Sequence, residues 1–121
     1  MKLAVIGCRH FDNYDLLLHS IDRYYKDAPI KSVISGGASG ADSLAAEWVK
    51  EYNLKYRPKI ELVEFLPDWD LYGKRAGFIR NELIISAADE VLAFWDGLSR
   101  GTANSLSHAK KQKKNTVVVY F

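Results

Sequence analysis

The chain has 121 residues, 48% hydrophobic and 26% charged, with a formal net charge of +2: enough for one domain over residues 1–121 with its own core, and too weakly basic to imply a nucleic-acid partner. Its single cysteine, Cys8, excludes an internal disulfide framework and suggests a cytoplasmic setting. The apolar run Leu3–Ile6 is too short for a secretory signal core, and no segment approaches the ~20 apolar residues of a bilayer span.

Leu3-Ala4-Val5-Ile6 ends at Gly7 and reads as a buried strand. Between about 14 and 26, Leu17, Leu18, Ile21, Tyr24 and Tyr25 form one helical stripe, and Pro29 breaks it. Ser32-Val33-Ile34 is a second strand, stopped by Gly36-Gly37, and Leu44, Ala45, Trp48, Val49 and Tyr52 mark a second helix. Ile60–Leu66 reads as a third strand ended by Pro67, followed by a loop through Asp68-Trp69-Asp70 and Gly73. Ile79, Leu83, Ile84 and Ala87 mark a third helix, Glu90–Trp95 a fourth strand, Thr102–Gln112 a fourth helix and Thr116–Phe121 a last strand.

Strands that alternate with helices predict a parallel sheet with helices on both faces. The strands are apolar without alternation, as a sheet covered on both sides requires. The expected fold is therefore α/β: one Rossmann-like domain with a five-stranded parallel sheet. Ligands of such sheets sit beyond the carboxyl ends of the strands, near the point where strand order reverses. The segments that follow strands one, two and four are the ones to inspect.

Strand two runs into Ser35-Gly36-Gly37-Ala38-Ser39-Gly40-Ala41-Asp42 and then a helix. Glycines let a ligand approach the backbone, and the unpaired N–H groups of a helix start suit a phosphate. The run has neither the Gly-Lys-Ser/Thr ending of a Walker A loop nor the G-x-G-x-x-G spacing of a dinucleotide fingerprint. Its purely structural alternative is a capping box, with Ser39 as N-cap and Asp42 three residues on. Asp42 would repel a phosphate, so a functional Asp42 would bind a ribose hydroxyl or orient a water. Strand four runs into Trp95-Asp96-Gly97-Leu98-Ser99-Arg100-Gly101-Thr102 at another helix start. Ser99 and Thr102 bring hydroxyls there, and Arg100 brings a guanidinium that suits phosphate or simply stays in solvent.

Strand one ends in Gly7-Cys8-Arg9-His10-Phe11. Arg9 is a candidate for an anionic ligand, whereas Cys8 reads first as a packed small residue, because nucleophilic use needs a lowered pKa. His10, His19 and His108 share no ligand spacing, so no metal site is expected. No cofactor is required, although Mg²⁺ arriving with a phosphate ligand fits. On side-chain physics alone Arg80-Asn81 is a solvent-facing pair. Lys110, Lys111, Lys113 and Lys114 read as a solvated helix end.

Taken in order, Gly7-Cys8-Arg9-His10-Phe11, Ser35 to Asp42, Pro67-Asp68-Trp69, Tyr72-Gly73-Lys74, Ala76 to Asn81 and Ala93 to Thr102 resemble the YspA-like, YpsA-related branch of the SLOG superfamily along nearly the whole chain. One departure is visible: Cys8 stands where the first motif usually has serine. The resemblance implies a Rossmann-like fold and a pocket for a nucleotide or nucleotide derivative, such as an NAD- or ADP-ribose-related molecule or a cyclic nucleotide signal. It moves Arg80 and Asn81 to the pocket and makes Trp69 and Trp95 candidate wall or stacking groups. The implied site comprises Gly7, Cys8, Arg9, Ser35, Gly36, Gly37, Ala38, Gly40, Ala41, Asp42, Arg80, Asn81, Trp95, Gly97, Ser99, Arg100, Gly101 and Thr102.

Related phosphoribohydrolases carry a glutamate shortly after a Gly-Thr pair. Here Gly101-Thr102 is followed by Ala103, Asn104 and Ser105, so the carboxylate that would activate water is missing. The resemblance therefore implies first a protein that senses or sequesters a nucleotide signal, in the setting of phage–bacteria conflict and in a host cytoplasm if phage-encoded. A hydrolase of an N-glycosidic or phosphate bond, with Asp42 or Asp96 in place of the glutamate, is the alternative. Binding of single-stranded nucleic acid, known in the related DprA branch, is a weaker third. A homo-oligomer is expected from the superfamily, and a membrane partner is not.

Overall fold

The computed structural model describes residues 1–121 as five strands and five α-helices: β1 (Lys2–Gly7), α1 (Tyr14–Tyr25), β2 (Ser32–Ser35), α2 (Ala41–Lys55), β3 (Glu61–Glu64), α3 (Trp69–Tyr72), α4 (Ala76–Ala87), β4 (Glu90–Trp95), α5 (Arg100–Lys111) and β5 (Asn115–Tyr120). All four strand pairings are parallel, in the order β3-β2-β1-β4-β5. The α/β class, the five-stranded parallel sheet and the single small domain expected from the sequence are thus found. The expected loop at 68–73 instead holds the one-turn helix α3, with Asp68 accepting from the Leu71 N–H at 3.0 Å as its cap, followed by a 3₁₀ turn at Gly73–Arg75. Asx capping over one turn leaves no apolar period to read, which explains the difference.

Successive residues of each central strand point to opposite faces and supply two cores. Leu3, Val5, Val33, Leu92 and Phe94 pack with Leu17 and Ile21 of α1 and Ala45, Trp48 and Val49 of α2. Ala4, Ile6, Ile34, Val91 and Ala93 pack with Ile84 and Ile85 of α4 and Ala109 of α5. Helices therefore cover both faces, α1 and α2 on one side and α4 and α5 on the other. The four inner residues of β1 and of β4 are buried, while β3 and β5 at the sheet edges are only partly covered.

Strand order reverses at β1, whose neighbours are β2 and β4. There the backbone closes tightly. The Cys8 N–H donates to the Phe94 carbonyl at 3.0 Å, extending the β1–β4 ladder, and the Cys8 carbonyl accepts from Phe11 and from Ala41 at 3.2 and 3.3 Å. The second of these ties the first turn of α2 to the end of β1, giving an otherwise unpaired helix N–H a partner. Gly40, with φ of 76°, makes the approach possible: a Cβ there would overlap the Cys8 carbonyl and the Arg9 backbone. Gly40 is also the N-cap, and no side chain caps this helix, so the capping box on Ser39 that stood as the structural alternative does not form.

Gly40→Ala is expected to destabilise the fold by about 3 kcal/mol or more, since it combines a left-handed backbone with a backbone clash. Gly101→Ala, in α5 with open space around the added methyl, is expected to be neutral or stabilising by up to ~1 kcal/mol. Urea denaturation of both variants checks the contrast, and equal effects would refute the role given to Gly40.

Candidate functional site

A cleft of about 330 Å³ opens beyond the carboxyl ends of β1 and β4, between α4 and α5. Of the residues singled out in the sequence, Gly7, Arg9, Ala38, Asp42, Arg80, Asn81, Ser99, Gly101 and Thr102 line it. The cleft is small for a ligand site, and its lining is mostly polar.

The loop after β1 presents Arg9 and His10 because Phe11 is anchored beneath them. Phe11 is buried and stacks on Phe94 of β4 at 4.5 Å between ring centroids, with Phe121 edge-on at 4.8 Å. Arg9 and His10 are thereby left exposed at the cleft.

The glycine-rich loop after β2 turns inward. Asp42, only 8% exposed, reaches back so that its Oδ2 accepts the Ala38 N–H at 3.1 Å. A side-chain anion thus occupies the cradle of backbone donors that the sequence suggested for a phosphate. Burial pushes the Asp42 carboxyl up to about 6, against the opposing influence of the Ala38 N–H and of Arg80. Gly36, Gly37, Gly40 and Ala41 shape this loop without lining the cleft, and Ser35 is fully buried beneath it with an unpartnered Oγ.

Arg80 of α4 clasps the same loop. Its Nη1 donates to the Gly36 carbonyl at 2.7 Å, and a Cβ at Gly36 would collide with the guanidinium. Its Nε donates to Asn81 Oδ1 at 3.0 Å, and Asn81 Nδ2 in turn reaches the Gly101 carbonyl at 3.4 Å and Asn104 Oδ1 at 3.3 Å on α5. Burial lowers the Arg80 guanidinium from its usual value; Asp42 opposes the shift and Arg9 adds to it. Arg9 and Arg80 thus bring two guanidinium groups to the lining of one cleft.

The turn after β4 is self-closed. Asp96 Oδ1 accepts from Leu98 N and Ser99 N, both at 2.8 Å, and the Trp95 indole N–H donates to the Ser99 carbonyl at 3.1 Å. Trp95 braces the turn and packs on Tyr120, while Gly97 and Arg100 do not line the cleft. Trp69 stands half exposed on α3, outside the cleft. The first turn of α5 carries neither a side-chain cap nor an acid, so the positive end of its dipole is not offset by a side chain, and Ser99, Gly101 and Thr102 at this helix start line the cleft. Lys110 and Lys111 lie in the last turn of α5, away from the cleft.

Four lining residues escaped the sequence reading: Ile6, His10, Ile84 and Ser105. Spacing held part of the signal, since Ser105 follows Thr102 by three positions and Ile84 follows Asn81 by three, each pair on one helix face. His10 Nε2 lies 3.5 Å from Asp96 Oδ2, and Cys8 Sγ, buried, lies 3.9 Å from Thr102 Oγ1. No regular spacing links these residues in the chain.

A doubly wound sheet with a polar cleft at its switch point defines a Rossmann-like fold. Residues 1–72 match the model of the YspA, cpYpsA-related SLOG family, and the chain belongs to that family. The matched stretch contains Gly7 to Arg9 and Ser35 to Asp42, while α4 and α5 lie beyond it. The chain is also similar to the Gene 61 protein of Mycobacterium phage D29, at 36% identity over 83 residues, 65% of this chain and 63% of that protein. It therefore spans less than two thirds of that relative. No solved structure matches. No helix is long and apolar enough to cross a membrane.

Two outcomes test the loop. Asp42 holds its proton more tightly in the folded chain than its ordinary value of 3.8 allows in the unfolded one. Its contribution to stability is therefore complete below about pH 4 and lost as pH rises through about 6, a change on the order of 2–3 kcal/mol. Asp42→Asn, which keeps an acceptor for Ala38, is expected to flatten that part of the stability curve, as read from urea midpoints across the range. An unchanged slope would show that the carboxyl titrates normally. Ser35→Ala, which removes an unpartnered buried hydroxyl, is expected to leave stability unchanged or raise it by about 1 kcal/mol; a clear loss would reveal a bonding partner.

Proposed function

We propose that the cleft binds a nucleotide or nucleotide derivative, with a ligand phosphate at the start of α5. The observation that carries this reading is the convergence of Arg9, Arg80 and the uncapped first turn of α5 on one small polar space. Two guanidiniums that repel one another favour an anion between them, and helix N–H groups complete its coordination. Membership of the SLOG family supports a nucleotide-related ligand. Asn81 and the rim of Asp42 would then meet ribose or base, and the protein would sense or sequester a signal such as an ADP-ribose derivative or a cyclic nucleotide.

The buried carboxyl of Asp42 supports a second reading. Raised to about 6, it stands near the range in which a group can both take and give a proton at neutral pH. The cleft would then hydrolyse an N-glycosidic or phosphate bond of the same ligand. Against this, at least one carboxylate oxygen is committed to the loop, so Asp42 reads first as a structural anion.

Native mass spectrometry of the purified protein, with identification of any small molecule released on denaturation, tests both. Nucleotides, cyclic dinucleotides and ADP-ribose derivatives screened by thermal shift extend the search. Arg9→Ala, a change at an exposed residue, is expected to weaken the bound ligand by at least about tenfold, the worth of one charge-assisted contact. Release of intact ligand supports binding alone. Turnover that Asp42→Asn abolishes while binding persists supports hydrolysis, and a chain that binds none of these compounds refutes both readings.

A further inference from the structure

One side-chain cluster beside the cleft is used by neither reading. Cys8 Sγ, an imidazole nitrogen of His10 and a carboxylate oxygen of Asp96 all lie within 4.8 Å of one another. They come from the ends of β1 and β4, the two central strands, and are brought together only by the parallel register that sets Gly7 beside Phe94. We propose that Cys8, His10 and Asp96 form a three-ligand site for a borderline-soft divalent cation, Zn²⁺ in the first instance, with its fourth position open to the cleft.

The donor set selects the ion. A thiolate with an imidazole and a carboxylate suits Zn²⁺ and disfavours Mg²⁺ and Ca²⁺, which take oxygen ligands. Zn–S bonds of about 2.3 Å and Zn–N or Zn–O bonds of about 2.0–2.1 Å put tetrahedral ligand atoms roughly 3.3–3.6 Å apart. His10 Nε2 and Asp96 Oδ2 stand at 3.5 Å already, and the exposed His10 ring is free to close the rest of the distance.

The surroundings fit a ligand role. Asp96 is held in place through Oδ1, which accepts from Leu98 N and Ser99 N at 2.8 Å each, and this leaves Oδ2 for an ion, as outer contacts orient ligands in built metal sites. The His10 imidazole lies 3.5 Å from Asp96 Oδ2, while the polar partner of the thiol is Thr102 Oγ1, so the hydrogen-bonded thiol–imidazole pair of a nucleophilic site is not formed. His10 and Thr102 line the cleft, and Thr102 Oγ1 lies 3.9 Å from the thiol. The ion would therefore face the cleft, where a water or an anionic ligand oxygen would fill the fourth position. Three protein ligands with one open position are the pattern of zinc sites that handle substrates rather than of closed structural ones.

Co²⁺ titration of the purified, reduced full-length protein tests the site, independently of any nucleotide, through the near-ultraviolet thiolate-to-cobalt charge-transfer band. Zn²⁺ affinity then follows by competition with a chromophoric chelator. The band is expected to saturate at one equivalent and to disappear on adding Zn²⁺. Cys8→Ser should remove the band, and His10→Ala, at an exposed position that leaves the fold intact, should weaken Co²⁺ and Zn²⁺ by about 100-fold or more, since even outer-shell changes cost 10–100-fold. His19→Ala and His108→Ala should change neither. The proposal is overturned if no saturable band appears, or if His10→Ala binds Zn²⁺ as tightly as the parent chain. Loss of binding in the His19 or His108 variant alone would place the ion elsewhere and overturn it equally.

Discussion

The contact between the start of α2 and the end of β1 governs this molecule. One carbonyl, that of Cys8, accepts from Ala41 and Phe11, while the Cys8 N–H continues the ladder to Phe94. Three chain segments, the end of β1, the start of α2 and β4, therefore meet at one residue's backbone. The meeting requires Gly40 to be a glycine, and it lies where the strand order reverses. Every group at the cleft is placed relative to this point: Arg9 and His10 follow it directly, Asp42 is one residue beyond Ala41, and the turn that starts α5 continues from the strand paired with β1. A shift here would move both walls of the cleft together.

The two walls differ in how far their polar groups are satisfied. On the side of β2, the Ala38 N–H is taken by Asp42, and Arg80 is taken by the loop carbonyl and by Asn81. A buried network with its members paired is rigid, so this wall offers shape and a fixed positive charge more than free donors. On the side of β4, the first turn of α5 has no cap, and Arg9 and His10 are exposed. Capacity to bind an anion is concentrated there. The glycine-rich loop, the most conspicuous feature of the sequence, has become the internally closed half of the site.

Much of this was legible in the chain. Five apolar runs separated by helical stripes specify the parallel sheet, and the rule that ligands gather at the carboxyl ends of strands points to the segments after β1, β2 and β4. Arg9, Asp42, Ser99 and Thr102 follow from position alone. Other features were hidden, for identifiable reasons. Asp42 accepts Ala38 N–H across a turn whose φ values at Gly37 and Gly40 are positive, and residue identity does not reveal which anion, internal or external, such a turn will hold. Trp95 looked like a wall of the pocket, yet its indole N–H closes the neighbouring turn, a use that depends on ring orientation. Arg80 and Asn81 read as solvent-facing on their own chemistry. Their placement depended on resemblance, and the reason for it appears only when α4 is seen bridging the β2 loop and α5.

The grouping of Cys8, His10 and Asp96 shows the limit most clearly. Sequence motifs for metals rest on ligands that share a helix or a hairpin, where spacing translates directly into geometry. Here two ligands precede α1 and the third follows β4, more than eighty positions away in the chain, and only the register of β1 against β4 brings them together. A doubly wound sheet does this as a matter of construction: its central strands are distant in sequence and adjacent in space, and their carboxyl ends open on one crevice. Chemistry assembled at such a crevice is written in the strand order, so the residues that follow β1 and β4 have to be read as a single segment.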